Sequence, residues 1–156
     1  MKEVEIKLSE GAKMPIKGEP NAMCYDCYVY KITHREDGKV EVDLGFGAKP
    51  PKGYGIRLIA RSGLSKYWWT INNGIGIGDE NFKGNYKAIF TPIVKVDVEA
   101  SNNGQINVHT LEDFPYSVNE RCCQMEIYER EDFEFKVVEE LNGEDRGGGF
   151  NSTGVK

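Results

Sequence analysis

Tyr54-Gly55-Ile56-Arg57-Leu58-Ile59-Ala60 runs without a break into Arg61-Ser62-Gly63-Leu64. The first part, apolar and partly β-branched, reads as a strand. The second sets a guanidinium, a hydroxyl and a flexible N–H in succession, so the strand gives way to a short turn, and Ser62–Trp69 has room for one helical turn. Working outward, the same strand style recurs at Val4–Leu8, Cys27–Thr33, Val40–Leu44, Tyr86–Val98, Arg121–Tyr128 and Phe133–Val138. Turn chemistry separates these runs: Asp37-Gly38, Pro50-Pro51-Lys52-Gly53, Asn73-Gly74, Lys83-Gly84 and Asn142-Gly143. Many short strands divided by Gly, Asn and Pro predict an all-β barrel or sandwich.

The chain has 156 residues, enough for one domain with a real core. Its 20 Lys and Arg against 25 Asp and Glu give a net charge of −5. That balance argues against sequence-independent binding to nucleic acid or to an anionic membrane, both of which favour a basic surface. No apolar run reaches membrane-spanning length, and Met1-Lys2-Glu3-Val4-Glu5 is charged where a signal peptide would be apolar. The expectation is a cytoplasmic protein. Cys24-Tyr25-Asp26-Cys27 and Cys122-Cys123 raise a metal question, but adjacent cysteines make a poor second hook for zinc. Both sites read as strand, where residues one or three apart face opposite sides. Buried free thiols are the expected state.

Several segments carry chemistry suited to a polyphosphate. Arg61-Ser62-Gly63 is one cradle. The C-terminal Arg146-Gly147-Gly148-Gly149-Phe150-Asn151-Ser152-Thr153-Gly154 supplies backbone N–H groups, two hydroxyls, a planar cation and one aromatic face. By composition alone that tail reads as a frayed terminus. Asn73 to Gly78 forms a hairpin with alternating glycines that can approach a planar ligand, and it delivers Asp79. One carboxylate among phosphate-binding groups points to a general base that activates water.

Taken in order, five segments resemble the motifs of the trimeric dUTPase family, the deoxyuridine triphosphate nucleotidohydrolases. They are Ala22–Tyr28, Arg61–Leu64, Asn73–Gly84, Arg121–Gln124 and Arg146–Gly154. The second fits unchanged. The first has Cys at positions where the family has Gly and Leu, and the third has Phe82 where the family usually has Tyr. The fourth carries Cys122-Cys123 in place of small or apolar residues, and Asn151 stands where Gly is common.

The resemblance implies a jelly-roll-like β-barrel over residues 1–144, assembled as a homotrimer with sites between subunits, and a flexible lid over 145–156. It implies hydrolysis of dUTP to dUMP and pyrophosphate, with Mg2+ on the triphosphate. Asp79 would activate the water that attacks the α-phosphorus. Asn73 and Gly76 would bind uracil, Phe82 would lie beneath the deoxyribose, and Gln124 would help place the water or the nucleotide. Arg61, Ser62 and Gly63 would hold phosphates, as would Arg146, Ser152 and Thr153, while Phe150 stacks on uracil. Asp26 would touch magnesium through water, and Arg121 would be structural.

The interval from Phe82 to Arg121 is longer than the family's usual spacing, with the surplus about residues 97–118. Ile106–Leu111 can pair with Val94–Val98 as an added hairpin, an elaboration that some phage members carry and that makes a phage or prophage source plausible. It is a candidate surface for a protein partner. The alternatives weighed are a dCTP deaminase or bifunctional enzyme of the same fold, and a nucleotide-binding regulator.

Overall fold

The computed structural model describes residues 2–97 and 107–144. Within these residues twelve strands and one 3-10 turn follow one another. The strands are β1 (Glu5–Leu8), β2 (Tyr25–Tyr28), β3 (Lys31–His34), β4 (Val40–Asp43), β5 (Phe46–Lys49), β6 (Tyr54–Ala60), β7 (Trp69–Ile71), β8 (Gly76–Gly78), β9 (Lys87–Pro92), β10 (Val94–Asp97), β11 (Asn107–Thr110) and β12 (Arg121–Glu129), and the turn is Ser62–Lys66. They build two four-stranded sheets, β2-β12-β6-β8 and β3-β4-β9-β7, and two pairs, β1-β5 and β10-β11. The pairings are antiparallel throughout.

One apolar core draws on both large sheets. Val40, Val42, Ala88 and Phe90 come from one, Ile56, Leu58, Cys123 and Met125 from the other, and Phe46 of β5 joins them. Alternation explains the sorting: along β4, Val40 and Val42 are buried whereas Glu41 and Asp43 are half-exposed. The expected all-β, jelly-roll-like architecture is present as two sheets facing across this core. No helix among the described residues is long and apolar enough to cross a membrane.

Two sequence runs divide where the chain changes sheets. Cys27–Thr33 breaks at Val29 and Tyr30, whose N–H groups donate to Glu120 and to Asp43 and so stitch the crossing to both sides. Tyr86–Val98 breaks at Ile93, whose N–H donates to the Trp68 carbonyl. Beyond it, β10 pairs with β11 from Val94 opposite Thr110 to Asp97 opposite Asn107, the added hairpin anticipated from sequence. Its far side is core: Phe114 packs on Trp69, Phe90 and Tyr116, and Trp69 Nε1 donates to the carbonyls of Glu112 and Asp113.

The strand expected at Phe133–Val138 is not formed; the segment has no ladder partner among the described residues. Its alternation is nevertheless real, and it is left in solvent: Phe133, Phe135 and Val137 are 74%, 96% and 98% exposed. A strand pattern needs a neighbour for its N–H and C=O groups, and the described residues offer none.

Candidate active site

Asp26, on β2, is the buried hub of the first group of site residues. Its Oδ1 accepts hydrogen bonds from Arg61 Nε at 2.9 Å and Gln124 Nε2 at 3.1 Å, and its Oδ2 accepts one from Arg121 Nη1 at 3.0 Å. Arg61 Nη1 also donates to the Arg121 carbonyl at 3.3 Å. Burial pushes the Asp26 carboxyl up, but the hydrogen bonds from Gln124, Arg61 and Arg121 together with the Arg61 charge outweigh it and hold the group below its ordinary value.

A β-bulge makes this clamp possible. Arg121 pairs with Tyr28 and Cys123 with Cys27, so Cys122 is one residue too many for the ladder. Arg121 and Gln124 are three apart and would face opposite sides of a regular strand. The extra residue brings both to the side of Asp26. It also corrects the sequence expectation for the cysteines. Cys122 and Cys123 do not face apart: both are fully buried and their sulfurs lie 3.9 Å apart. All four cysteines are free thiols; Cys27, Cys122 and Cys123 are buried and Cys24 is half-buried. The thiols of Cys122 and Cys123 are pushed well up, Cys122 by its hydrogen bond with Cys123 and by burial, Cys123 by its contact with Cys27 and by burial, which outweigh the Cys122 hydrogen bond's opposite pull.

Ser62 and Gly63 open the 3-10 turn directly after Arg61. Ser62 is exposed, and a side chain added at Gly63 would meet nothing within 4 Å, so the backbone here is open to a ligand. Tyr116, which the sequence reading missed, stands nearby. It lines one recess with Arg61 and Arg121, and its hydroxyl is buried without a partner among the described residues. Burial, with the neighbouring Cys122, pushes its phenol up to about 12.

The second group surrounds a cavity of about 320 Å³ lined by Asn73, Gly76, Asp79, Phe82 and Tyr86. The β7–β8 turn forms it, with Gly74 at a φ of 67°. Asp79 follows β8 and is exposed; the Phe82 N–H donates to its carbonyl at 3.0 Å. Glu80 anchors the far side by accepting from the Gly53 N–H at 2.9 Å, so the hairpin end is tied to the 50–53 turn.

The chain does not bring the two groups together. β8 lies on β6 with Gly78 opposite Ile56, which sets Asp79 level with Gly55. Arg61 leaves the other end of the same strand, and at ~3.3 Å per residue the separation along β6 is roughly 20 Å. Arg146, Phe150, Ser152 and Thr153 lie outside the described residues.

A resident metal does not fit these donors. Among the described residues there is no cluster of three or more His, Cys, Asp or Glu side chains suited to an ion. Asp26, the expected contact, is 3% exposed and already accepts three hydrogen bonds.

No protein-family model matches the chain. It is similar to the deoxyuridine 5'-triphosphate nucleotidohydrolase of Yarrowia lipolytica, 30% identical over 152 residues that cover 95% of this chain and 86% of the yeast protein. The fowlpox virus nucleotidohydrolase is 32% identical over 161 residues, covering all of both chains. Among solved structures, the Staphylococcus bacteriophage 80alpha dUTPase G164S mutant with dUpNHpp superposes with a TM-score of 0.76 at 22% identity, over 98% of this chain and 99% of that one.

Proposed function

This chain belongs to the deoxyuridine 5'-triphosphate nucleotidohydrolase family, and from that premise we propose that it hydrolyses dUTP to dUMP and pyrophosphate. The observation that carries the reading is the position of Asp79, exposed and lining a cavity that Asn73 and Phe82 also line. A carboxylate is ionised at neutral pH and can take a proton from water. The water oxygen then bonds to the α-phosphorus, the bridging P–O bond to the β-phosphate breaks, and pyrophosphate leaves with that electron pair.

Asn73 and the hairpin around Gly76 read the uracil edge, where a wrong base leaves buried polar groups unpaired. Phe82 packs against the sugar. Arg61, Ser62 and Gly63 hold phosphates, with Asp26, Arg121 and Gln124 keeping Arg61 in place. Mg2+ enters as part of the substrate, neutralising a polyanion that an acidic protein would otherwise repel. Arg146, Ser152 and Thr153 close over the γ end and Phe150 over the base.

The site is completed between copies of the chain, as a homotrimer. Two observations support this: the roughly 20 Å along β6 between Asp79 and Arg61, and the exposed apolar row of Phe133, Phe135 and Val137, of the kind a neighbouring copy covers. The deciding assay incubates the protein with dUTP or dCTP and Mg2+. Pyrophosphate from dUTP, lost in Asp79→Asn with dUTP binding kept, is expected; ammonia from dCTP instead would make the protein a deaminase.

A further inference from the structure

Asp79 sits on a segment with little buried surface to hold it. Across residues 79–85 every position is exposed except Glu80, which is partly buried. The segment also divides two cavities. Asp79 lines the one it shares with Phe82 and a second, of about 450 Å³, bounded by Lys52, Tyr54, Tyr128 and Arg130. A carboxylate on a thin partition, open on both sides, gets little direction from packing. A base that must meet one water at one phosphorus needs that direction fixed, since a displacement of about 1 Å can cost ~100-fold in rate.

Glu80 supplies what packing does not. Its Oε2 accepts from the Gly53 N–H at 2.9 Å and from Arg130 Nη1 at 3.5 Å, and the Arg130 N–H donates to the Gly53 carbonyl at 2.7 Å. Three segments therefore meet at one carboxylate: the turn that enters β6, the residue after β12, and the residue after Asp79. Among the described residues, the two Glu80 bonds are the only hydrogen bonds from 79–82 to another part of the chain. They are unequal. Arg130 is half-exposed and already pairs with Asp132 at 3.1 Å, so its long contact adds little. A backbone N–H donating to a carboxylate is the stronger tie. On its other side Asp79 follows Gly78, which pairs with Ile56 of β6 and lies so close to the Tyr86 ring that a Cβ would not fit. Asp79 is thus held between one fixed residue and one tethered residue.

We propose that Glu80 is a positioning residue for the hydrolysis: by gripping the Gly53 N–H, it sets the direction from which Asp79 meets the attacking water. The inference rests on the dUTP reading and adds to it the device that aims the base. Reach decides the role, and charge does not. Aspartate is one methylene too short to span to Gly53, whereas glutamine keeps an acceptor oxygen at the same distance.

Steady-state dUTP hydrolysis by the full chain with Mg2+ tests this on four variants. Glu80→Ala and Glu80→Asp should each lower kcat about 10- to 100-fold and leave KM near normal, because other residues hold the nucleotide. Glu80→Gln should be near normal in both parameters. Arg130→Ala should be near normal as well, since it leaves the Gly53 bond in place. Glu80→Asp and Glu80→Gln carry the comparison should Glu80→Ala fail to fold. An unchanged kcat in Glu80→Ala, a normal Glu80→Asp, a slow Glu80→Gln, or a loss confined to KM would each overturn the proposal. A wild-type protein that does not turn over dUTP would instead refute the underlying reading, so the two failures are separable.

Discussion

Arg61 and Asp79 stand at opposite ends of β6, one leaving the strand after Ala60 and the other level with Gly55. If both act on one nucleotide, they act from different copies of the chain. Arg61→Ala and Asp79→Asn should each be nearly inactive alone. Refolded together, random mixing should leave about one composite site in four with both native residues. Turnover of dUTP by the mixture, set against either variant alone, checks this; a mixture as inactive as its parts would place both residues in one chain's site.

Asp26 gives a pH signature. Its folded-state carboxyl is held below the ordinary value by Gln124, Arg61 and Arg121 against the upward push of burial. A depressed carboxylate contributes stability that is present above the unfolded value of ~3.9 and is lost as pH falls through the lower folded value. Asp26→Asn should therefore cost about 2–4 kcal/mol near neutral pH, since it strands two guanidinium groups. The gap to wild type should shrink as pH drops below ~4. Urea midpoints of both proteins across that range test the prediction, and a gap independent of pH would refute it.

The thiols offer a test of burial. Cys27, Cys122 and Cys123 are closed to solvent and only Cys24 is half-buried. A maleimide should label the native protein at Cys24 alone and slowly, because burial also pushes that thiol up. Denaturation should expose all four. Intact-mass spectrometry reads the count directly, and rapid native labelling at Cys122 or Cys123 would contradict the packing around the bulge.

The added hairpin and its base should behave differently. Replacing residues 96–108 by a short Gly-containing turn should leave dUTP turnover and thermal midpoint near normal, since among the described residues β10 and β11 pair only with each other. Phe114→Ala should lose about 2–3 kcal/mol, because that ring packs on Trp69, Phe90 and Tyr116. Chemical denaturation of the two variants separates a peripheral hairpin from a structural base. A partner protein captured by the wild type and missed by the shortened chain would identify the hairpin as an interaction arm.

Truncation after Glu144 should leave the fold intact, since both large sheets and the core end before it. Activity should fall severely as Arg146, Phe150, Ser152 and Thr153 are removed. Circular dichroism and dUTP turnover on the same sample decide the matter; loss of the β signal would make the tail part of the core.

What the sequence conveyed follows from how local each signal is. Tyr54–Ala60 is apolar, partly β-branched and bounded by turn residues, and its limits match β6 residue for residue. Cys27–Thr33 looks continuous, because a crossing between sheets costs no strand-like residue and is visible only in the partners of Val29 and Tyr30. Gly76–Gly78 and Trp69–Ile71 are too short to carry a period. Phe133–Val138 has the pattern but not the neighbour. In the site, Asp79 and Arg61 were marked by the chemistry around them. The contact of Arg121 and Gln124 with one carboxylate was not legible, since strand alternation denies it.

The bulge at Cys122 has a consequence for the length of the chain. Arg121 before it and Gln124 after it both stay in step with β2, so the ladder carries one amino acid more than it uses. Deleting Cys122 should let the strand run straight, keep Arg121 and Gln124 on the Asp26 side, and cost only the small void left by a thiol. Deleting Gln124 instead would bring Met125 to the carboxylate. β12 can thus lose an amino acid at one point without turning itself inside out, and that point is where length drift is most readily absorbed.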